Sequence, residues 1–425
     1  MTRQDINQSL ELFLLFLFGL SISVWKPGIY VSSGLILAYA LVRLLSDGPY
    51  RKELFAGWIA WASMGLFLLG VIATWIHPGF FEDTSLYARK AMFLLLIPVL
   101  LIAFKRPANR HFGLAGFLVG FWIASAMTFD AMGWQWQGLR VSGTWTVDVW
   151  GVISSMAIAF LTPFLFHRQS LHQKLFYALT CVLAVMMIVI SGGRAPLFAA
   201  IASLGLFLLL HHRRTMILLL AATALAYWPL KQLTPGPFQT VERMVTSVIT
   251  LNNQQPNSVH KESNLVRINL WTLGIAHNQE KIENSPLSFV FGSGPENHLD
   301  EIRAFFERTD ALTDSQKQFL RNLDYPSNDL HNMYLDTVAK MGIIWTVLAL
   351  TYLIAFCIHC IRLSRPEDRR PLGGLLLLFN FLLIGFFYDI MLHFAPFFLV
   401  FLMTLSARSG SQSGTYGTAA LNRQN

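Results

Sequence analysis

Residues 175–211 read LFYALTCVLAVMMIVISGGRAPLFAAIASLGLFLLLH and contain the pattern that decides the fold. Two apolar runs, 175–191 and 196–211, are separated by only four residues, GGRA. A membrane-spanning helix needs about 20 mostly apolar residues, and each run is close to that length. The two glycines let the backbone turn tightly. The stretch therefore predicts two neighbouring membrane-spanning helices with one arginine in the turn between them.

Similar apolar runs, bounded by charges or Pro/Gly clusters, occur along the whole chain. Hydrophobic residues make up 54% of it and charged residues only 13%, whereas an average soluble domain has about 25% charged residues. The pattern predicts an all-α, polytopic membrane protein. Twelve spans are predicted, approximately at 10–25, 28–45, 56–75, 91–104, 112–128, 148–166, 175–191, 196–211, 215–230, 341–361, 371–388 and 390–407.

The basic residues between the predicted spans indicate the orientation. If the N-terminus is cytoplasmic, 17 Lys and Arg residues lie on the cytoplasmic side and five in the short loops opposite. This asymmetry is the one that the positive-inside rule predicts for an inner-membrane protein. Basic residues in such loops meet anionic lipid headgroups. The net charge of +8 therefore indicates membrane lipids as partners and not nucleic acid.

A long polar segment, 231–330, lies between the ninth and tenth predicted spans and holds 12 of the 24 acidic residues. Its aromatic residues are anchors for a fold. Periodic apolar residues predict helices over 265–276 and 299–323, with an irregular loop at 252–258. The predicted organisation is nine membrane helices at 1–230, a largely helical periplasmic domain at 231–330, three membrane helices at 331–407 and a cytoplasmic tail at 408–425.

Two arginines lie at the predicted outer boundary of the membrane. Arg194 follows Gly193 in the short turn, close to membrane depth, where an unpaired charge is usually functional. Snorkelling to the interface is the alternative interpretation. Arg267 is four residues before Trp271 on a predicted helix, so both share a face that is suited to the bilayer surface. A solvated arginine on an amphipathic helix is the alternative there.

His331 is the strongest candidate for a catalytic group. It is predicted to lie in the first turn of the helix that leads to the tenth span, with Asn328 or Asp329 as N-cap. A histidine at this boundary can accept a proton from a hydroxyl group, although a purely interfacial role is the alternative. Arginine side chains suit pyrophosphate oxygens. Together these residue types suggest glycosyl transfer from a lipid pyrophosphate.

One cluster resembles a metal motif. Cys357, His359 and Cys360 lie on a predicted apolar helix, and no second ligand pair accompanies them. The spacing of the two cysteines is also what ordinary helix packing produces. No metal site and no cofactor are therefore predicted, and the three cysteines, all in apolar runs, predict no disulfide framework.

Several short motifs occur in a fixed order on this layout. They are Gly193-Arg194, Arg267-x-Asn269-x-Trp271, Gly292-Ser293-Gly294 and His331-Asn332-x-Tyr334 leading to Gly342. With twelve spans and a long outer segment between the ninth and tenth, the chain resembles the O-antigen ligase family of bacterial envelope proteins. That family belongs to the O-antigen ligase/polymerase superfamily, of GT-C glycosyltransferase type.

The resemblance implies an inverting, metal-independent transfer of polysaccharide from undecaprenyl pyrophosphate to a sugar hydroxyl of lipid A–core. It implies that His331 is the general base and that Arg194 and Arg267 grip the pyrophosphate. Asp389 is expected to orient His331 or to pair with an arginine. Further substrate contacts are expected from Arg89, Lys90, Arg140, Tyr334 and Asp389.

Other functions remain open at this point. Within the superfamily, an O-antigen polymerase or a protein O-oligosaccharyltransferase uses the same kind of donor. From a different class, a secondary transporter or lipid flippase also has about twelve spans, but its ionisable groups are expected near the bilayer midplane. The sugar, the acceptor hydroxyl and the choice between monomer and dimer also stay open.

Overall fold

The computed structural model describes residues 3–76, 80–136, 138–166, 170–233, 259–325, 329–362 and 371–406. Within these ranges the chain forms 18 helices and no strand. They are α1 Arg3–Val24, α2 Lys26–Ser46, α3 Gly48–Leu54, α4 Trp58–Thr74, α5 Phe80–Ala91, α6 Phe93–Ala103, α7 Pro107–Ala131, α8 Val147–Leu165, α9 Leu171–Ser191, α10 Arg194–His211, α11 Arg213–Leu233, α12 Val259–Asn284, α13 Pro286–Phe291, α14 His298–Arg308, α15 Asp314–Arg321, α16 Met333–Arg362, α17 Pro371–Gly385 and α18 Ala395–Ser406.

The helices confirm an all-α, multi-pass membrane protein. Eight helical stretches in the described ranges are long and apolar enough to cross a membrane, or nine if α3 and α4, bent by 76°, count as one span. The helices α17 and α18 are apolar but shorter. Each of the twelve predicted spans coincides with a helix, while the number that actually crosses the membrane stays a prediction.

The fourth predicted span differs from the structure at its start. It was placed at 91–104, but α5 and α6 form one apolar stretch over 81–103. Arg89 and Lys90 are therefore in the last turn of a helix and not in a loop before a span. The acidic residues Glu82 and Asp83 in the first turn of this helix lower the local hydropathy, so the apolar run seen in the sequence begins later than the helix.

The membrane helices pack around α8 and α18, which are buried over nearly their whole length. A helix that is apolar on all sides belongs in the interior of a bundle. At the periphery, α1 and α7 touch through their backbones, because a Cβ atom on Gly116 would overlap the carbonyl oxygen of Phe16. Such close approach at small residues is typical of helix pairs in membranes.

The helices α12 to α15 form a unit with its own apolar core, here called the polar helical unit. Its core residues include Val266, Leu270, Leu273, Phe305, Phe306 and Leu320. The single helix predicted over 299–323 is wrong, because the chain ends α14 at Arg308 and starts α15 at Asp314. Thr313 begins α15 with a capping box, accepting from the Gln316 backbone N–H at 3.4 Å. The predicted loop at 252–258 and the predicted tail at 408–425 lie outside the described residues.

A kink in α16 joins the polar helical unit to the membrane helices. Gly342 has a φ of 78°, which interrupts the helical hydrogen bonding. The backbone N–H groups of Ser293 and Gly294 donate instead to the carbonyl oxygens of Ala339 (3.0 Å) and Lys340 (2.9 Å). The Gly292-Ser293-Gly294 motif and the segment of α16 that ends at Gly342 thus form one junction.

Candidate active site

A pocket of about 450 Å³ opens where the polar helical unit meets the membrane helices. Its walls come from the loop before α8 and the start of α8, from α12, from the loop before α16 and from the loop between α17 and α18. Six of its ionisable lining residues are Arg140, Arg267, Asp329, His331, Asp389 and His393. Four separate stretches of sequence therefore converge on one cavity. We call this end of the membrane helices the pocket end.

His331 lies just before α16 and not in its first turn. Asn332 is the N-cap, since its side-chain oxygen accepts hydrogen bonds from the backbone N–H groups of Tyr334 (3.0 Å) and Leu335 (3.1 Å). His331 itself has a φ of 49°, a left-handed conformation that costs about 1–3 kcal/mol for a non-glycine residue. The predicted N-cap at Asp329 is wrong, and Asn328 lies outside the described residues.

Asp329 holds the His331 ring in one orientation. One carboxylate oxygen of Asp329 accepts from the His331 backbone N–H at 2.8 Å and contacts Nδ1 of the ring. The Nδ1 atom thus carries the hydrogen, which leaves Nε2 with its lone pair. That atom faces the hydroxyl group of Tyr325 at 3.3 Å, and the His331 side chain is 26% exposed. The imidazole is therefore arranged to accept a proton at Nε2.

The Asp329 carboxyl stays ionised in this arrangement. Burial raises its pKa, but the hydrogen bond from His331 and the charge of that ring outweigh burial and leave the pKa below its ordinary value. An ionised carboxylate both fixes the tautomer of the ring and stabilises the imidazolium that forms on proton transfer.

The helix α12 places Arg267 and Trp271 against this loop. The indole N–H of Trp271 donates to the backbone carbonyl of His331 at 3.2 Å. The guanidinium of Arg267 lies 5.6 Å from the ring centre of Tyr388, and its Nε is buried without a hydrogen-bond partner in the described part of the chain. The face that these two side chains share therefore packs onto the protein and not onto a bilayer surface.

Arg194 begins α10, directly after a turn in which Gly192 has a φ of 68°. It is not a lining residue of the pocket, but it lies within electrostatic range of Arg267 and Arg140. Within the described ranges neither Arg194 nor Arg267 forms an ion pair, whereas Arg140 pairs with Asp148 at 2.6 Å. Two half-buried arginines thus lie within electrostatic range of each other, and neither pairs with a carboxylate in the described ranges. This arrangement suits an anionic ligand.

Asp389 has a different partner from the one expected. Its carboxylate contacts Lys340 Nζ at 2.5 Å and lies 3.5 Å from His393 Nε2. Lys340 also contacts Asp336, so that one buried cation lies between two buried carboxylates. In the described ranges Asp389 thus pairs with Lys340 and lies near His393, and it contacts neither His331 nor an arginine.

A comparison with protein families complements the geometry. Residues 179–350 match the family model described as O-antigen ligase. Over these residues the chain is similar to the O-antigen ligase family. The matched region contains Arg194, Arg267 and His331 but not Arg140 or Asp389. No curated protein matches the chain. This similarity supports a glycosyltransferase-type enzyme.

Three other residues predicted for the site do not line the pocket. Lys90 is half-buried, within electrostatic range of Lys340 and Asp389, and Arg89 is exposed beside the ring of Tyr30. The hydroxyl group of Tyr334 donates to the carbonyl oxygen of Leu382 at 2.8 Å. The structure thus brings together Arg140, Arg267, His331 and Asp389, with Arg194 close by.

The sequence analysis did not assign Tyr325 or His393 to this pocket, and it gave Asp329 only a capping role. A local signal existed for His393 and Asp329. Asp329 precedes His331 by two residues, and His393 follows Asp389 by four, spacings at which a carboxylate and an imidazole can meet. Nothing in the sequence indicated that Tyr325 would reach the imidazole.

Proposed function

We propose that this chain is an inverting, metal-independent O-antigen ligase. It transfers polysaccharide from undecaprenyl pyrophosphate to a sugar hydroxyl of lipid A–core, in the synthesis of lipopolysaccharide. The protein lies in the bacterial inner membrane with the pocket on the periplasmic side. The distribution of basic residues along the sequence supports this orientation.

The Asp329–His331 pair is the observation that carries the proposal. Because Asp329 holds Nδ1, the Nε2 atom of His331 accepts the proton of the acceptor hydroxyl group. The hydroxyl oxygen attacks the anomeric carbon of the donor sugar. The bond from that carbon to the pyrophosphate oxygen breaks, and its electron pair stays on the pyrophosphate. Attack from the face opposite the leaving group inverts the configuration.

Arg267 and Arg194 stabilise the leaving group. Two cations without carboxylate partners in the described residues offer their donors to the pyrophosphate, whose negative charge grows as the bond breaks. Removal of one such donor from an active site usually costs about 10²–10³ in rate. We assign the stabilisation of charge to these arginines, which is why the proposed transfer needs no metal.

The pocket also has a surface for the lipid part of the donor. Val152, Ile390 and Phe394 form an apolar wall on the side of the membrane helices. A prenyl chain along this wall places its pyrophosphate at the boundary where Arg267 lies. Arg89 and Lys90 are assigned to secondary phosphate contacts, and Arg140, Tyr334 and Asp389 to shaping the site.

A reconstitution experiment tests the proposed reaction. Wild type and the variants His331→Ala, Arg194→Ala and Arg267→Ala are purified in detergent and given undecaprenyl-pyrophosphate-linked polysaccharide and lipid A–core, with EDTA present. The joined product is measured on a gel. We expect product with wild type and none with the three variants. Thermal unfolding checks that each variant is folded.

The same assay separates ligation from its alternatives. A wild-type protein that lengthens the lipid-linked polysaccharide and ignores lipid A–core is a polymerase, which contradicts the proposal. A wild type that is inactive only in EDTA contradicts metal-independent transfer. Arg106→Ala is the matched control, because this arginine pairs with Glu11 at 3.3 Å and lies far from the pocket.

A further inference from the structure

The pocket contains a second carboxylate–histidine pair besides Asp329 and His331. His393 lines the same cavity from the loop between α17 and α18, and its side chain is 33% exposed. Its Nε2 atom lies 3.5 Å from a carboxylate oxygen of Asp389. The two histidines therefore present opposite ring nitrogens to their carboxylates, Nδ1 in His331 and Nε2 in His393.

The environment of His393 favours a lone pair on Nδ1. Because the Asp389 carboxylate is an acceptor next to Nε2, the neutral ring of His393 carries its hydrogen on Nε2. No partner for Nδ1 occurs among the described residues, and this atom is not one of the buried unsatisfied atoms. The ring thus presents an accessible acceptor to the cavity.

We propose that His393 binds a sugar hydroxyl group through Nδ1, as a substrate-binding residue distinct from the base. The inference rests on the proposed function. A lone pair requires a ligand that donates a hydrogen, which a sugar hydroxyl group does and an ionised pyrophosphate does not. The cations assigned to the pyrophosphate are Arg267 and Arg194.

Asp389 explains why His393 is assigned to binding and not to proton removal. Its charge is shared with Lys340 at 2.5 Å, whereas Asp329 is engaged by His331 alone among the described residues. A carboxylate that already pairs with a lysine gives less additional support to an imidazolium. His331 therefore carries the proton and His393 holds a hydroxyl group in place.

The hydroxyl group belongs either to the acceptor sugar or to the first sugar of the donor. Steady-state kinetics with His393→Leu and His393→Asn separates the two sources. Leucine removes the acceptor, and we expect KM to rise about tenfold for one of the two substrates, the usual effect of one lost hydrogen bond. We expect kcat to change less than threefold. Asparagine keeps an oxygen near the position of Nδ1 and should leave KM within threefold of wild type.

The substrate whose KM rises identifies the sugar that is bound. A fall in kcat with both KM values unchanged overturns the proposal, because it makes His393 part of the chemical step, and an unchanged leucine variant overturns it as well. If His393→Leu does not fold, His393→Ala is assayed with added imidazole, which should lower the raised KM. Failure of imidazole to do so also contradicts the proposal.

The outcome is separable from that of the proposed function. If wild type transfers polysaccharide to lipid A–core but His393→Leu has wild-type kinetics, only this inference is wrong. If wild type lengthens the lipid-linked polysaccharide instead, ligation is wrong, and the same KM comparison with lipid-linked acceptor decides the role of His393.

Discussion

The two ends of the membrane helices differ in whether certain basic side chains have carboxylate partners. At the end remote from the pocket, here called the far end, three basic side chains have carboxylate partners. These pairs are Arg43–Asp47 (2.5 Å), Lys105–Glu53 (2.5 Å) and Arg106–Glu11 (3.3 Å). At the pocket end Arg194 and Arg267 have none in the described ranges. The 25-residue helix α7, about 37 Å long, connects the two ends.

This difference indicates what each end binds. A pair at the far end is satisfied within the protein and partly by water, and such pairs contribute only about 0–1 kcal/mol. A half-buried arginine without a carboxylate cannot discharge by losing its proton, because the guanidinium stays protonated in proteins. In the described ranges no carboxylate balances the charge of Arg194 or Arg267. The proposed pyrophosphate would balance both.

The largest expected effect contrasts unpaired and paired arginines. Arg267→Ala and Arg194→Ala should each lower the rate of transfer at least 100-fold, since each removes a donor from the leaving group. Arg106→Ala should change the rate less than twofold. Initial rates with both substrates saturating check this. Equal losses in all three variants would mean that the pairing difference has no functional meaning.

A smaller effect on the rate of transfer is expected at Asp329, whose carboxylate is the partner of the His331 imidazole and, in the described ranges, not of a lysine or arginine. Asp329→Asn keeps the shape but lets the amide donate to Nδ1, so Nε2 loses its role as acceptor. We expect kcat to fall about 10- to 100-fold, as for other residues that orient a functional histidine, with the KM for donor within threefold. Glu11→Gln at the far end is the control and should retain wild-type kcat. A wild-type kcat in Asp329→Asn would remove His331 as the base.

The fold was largely predictable from the sequence, because apolar runs and basic loops are local signals. All twelve predicted spans coincide with helices. The break in 299–323 was not predicted, since the Thr313 cap was not recognised. At the site, Arg267 and His331 were both predicted at the outer membrane boundary, and they line the same pocket. The partner of Asp389 was not predictable, because Lys340 lies on a separate helix and only the packing of α16 against the α17–α18 loop brings the two together.

The Asp329–His331 contact shows a second limit of sequence reasoning. Two residues apart, these side chains meet only because His331 has a left-handed backbone and Asn332 starts the helix after it. The prediction chose Asn328 or Asp329 as the cap and not Asn332, which placed His331 inside the helix. A non-glycine residue with positive φ has no clear signature in a single sequence.

The polar helical unit offers a third way to accommodate a buried ionisable group, which is to keep it neutral. Burial, and then the nearby Lys281, lower the pKa of His277 to about 4 from an ordinary value of 6.5. Between these values the unfolded chain binds more protons, so the unit should lose stability as pH falls through this window. At pH 5.5 the expected loss is about 1 kcal/mol.

Thermal unfolding at pH 7.5 and 5.5 measures this loss. Wild type should lose more Tm on acidification than His277→Phe, which removes the titrating ring and can pack against Phe305, whose ring lies 5.3 Å from that of His277. The other titrating groups act in both proteins, so only the difference between them counts. A smaller loss in wild type than in the variant would contradict the lowered pKa.

The smallest effect is expected at Arg140, a paired arginine inside the pocket. Because Asp148 already neutralises it at 2.6 Å, its charge is not available to the pyrophosphate as that of Arg267 is. Its Nε also donates to the Ser191 carbonyl oxygen at 2.8 Å, which ties it to the turn before Arg194. Arg140→Ala should therefore lower the rate no more than about threefold, corresponding to less than 1 kcal/mol.

The variant Asp148→Asn tests directly whether an arginine at the pocket end binds the anion because it lacks a carboxylate partner. It leaves Arg140 in place but removes its negative partner, so the pocket gains one uncompensated positive charge. If an unpaired arginine at this end is what binds the anion, this variant should bind the donor more tightly than wild type, with a lower KM, while Arg140→Ala should not. If Arg140→Ala instead matches the 100-fold loss expected for Arg267→Ala, position within the pocket and not the lack of a partner decides which arginines act.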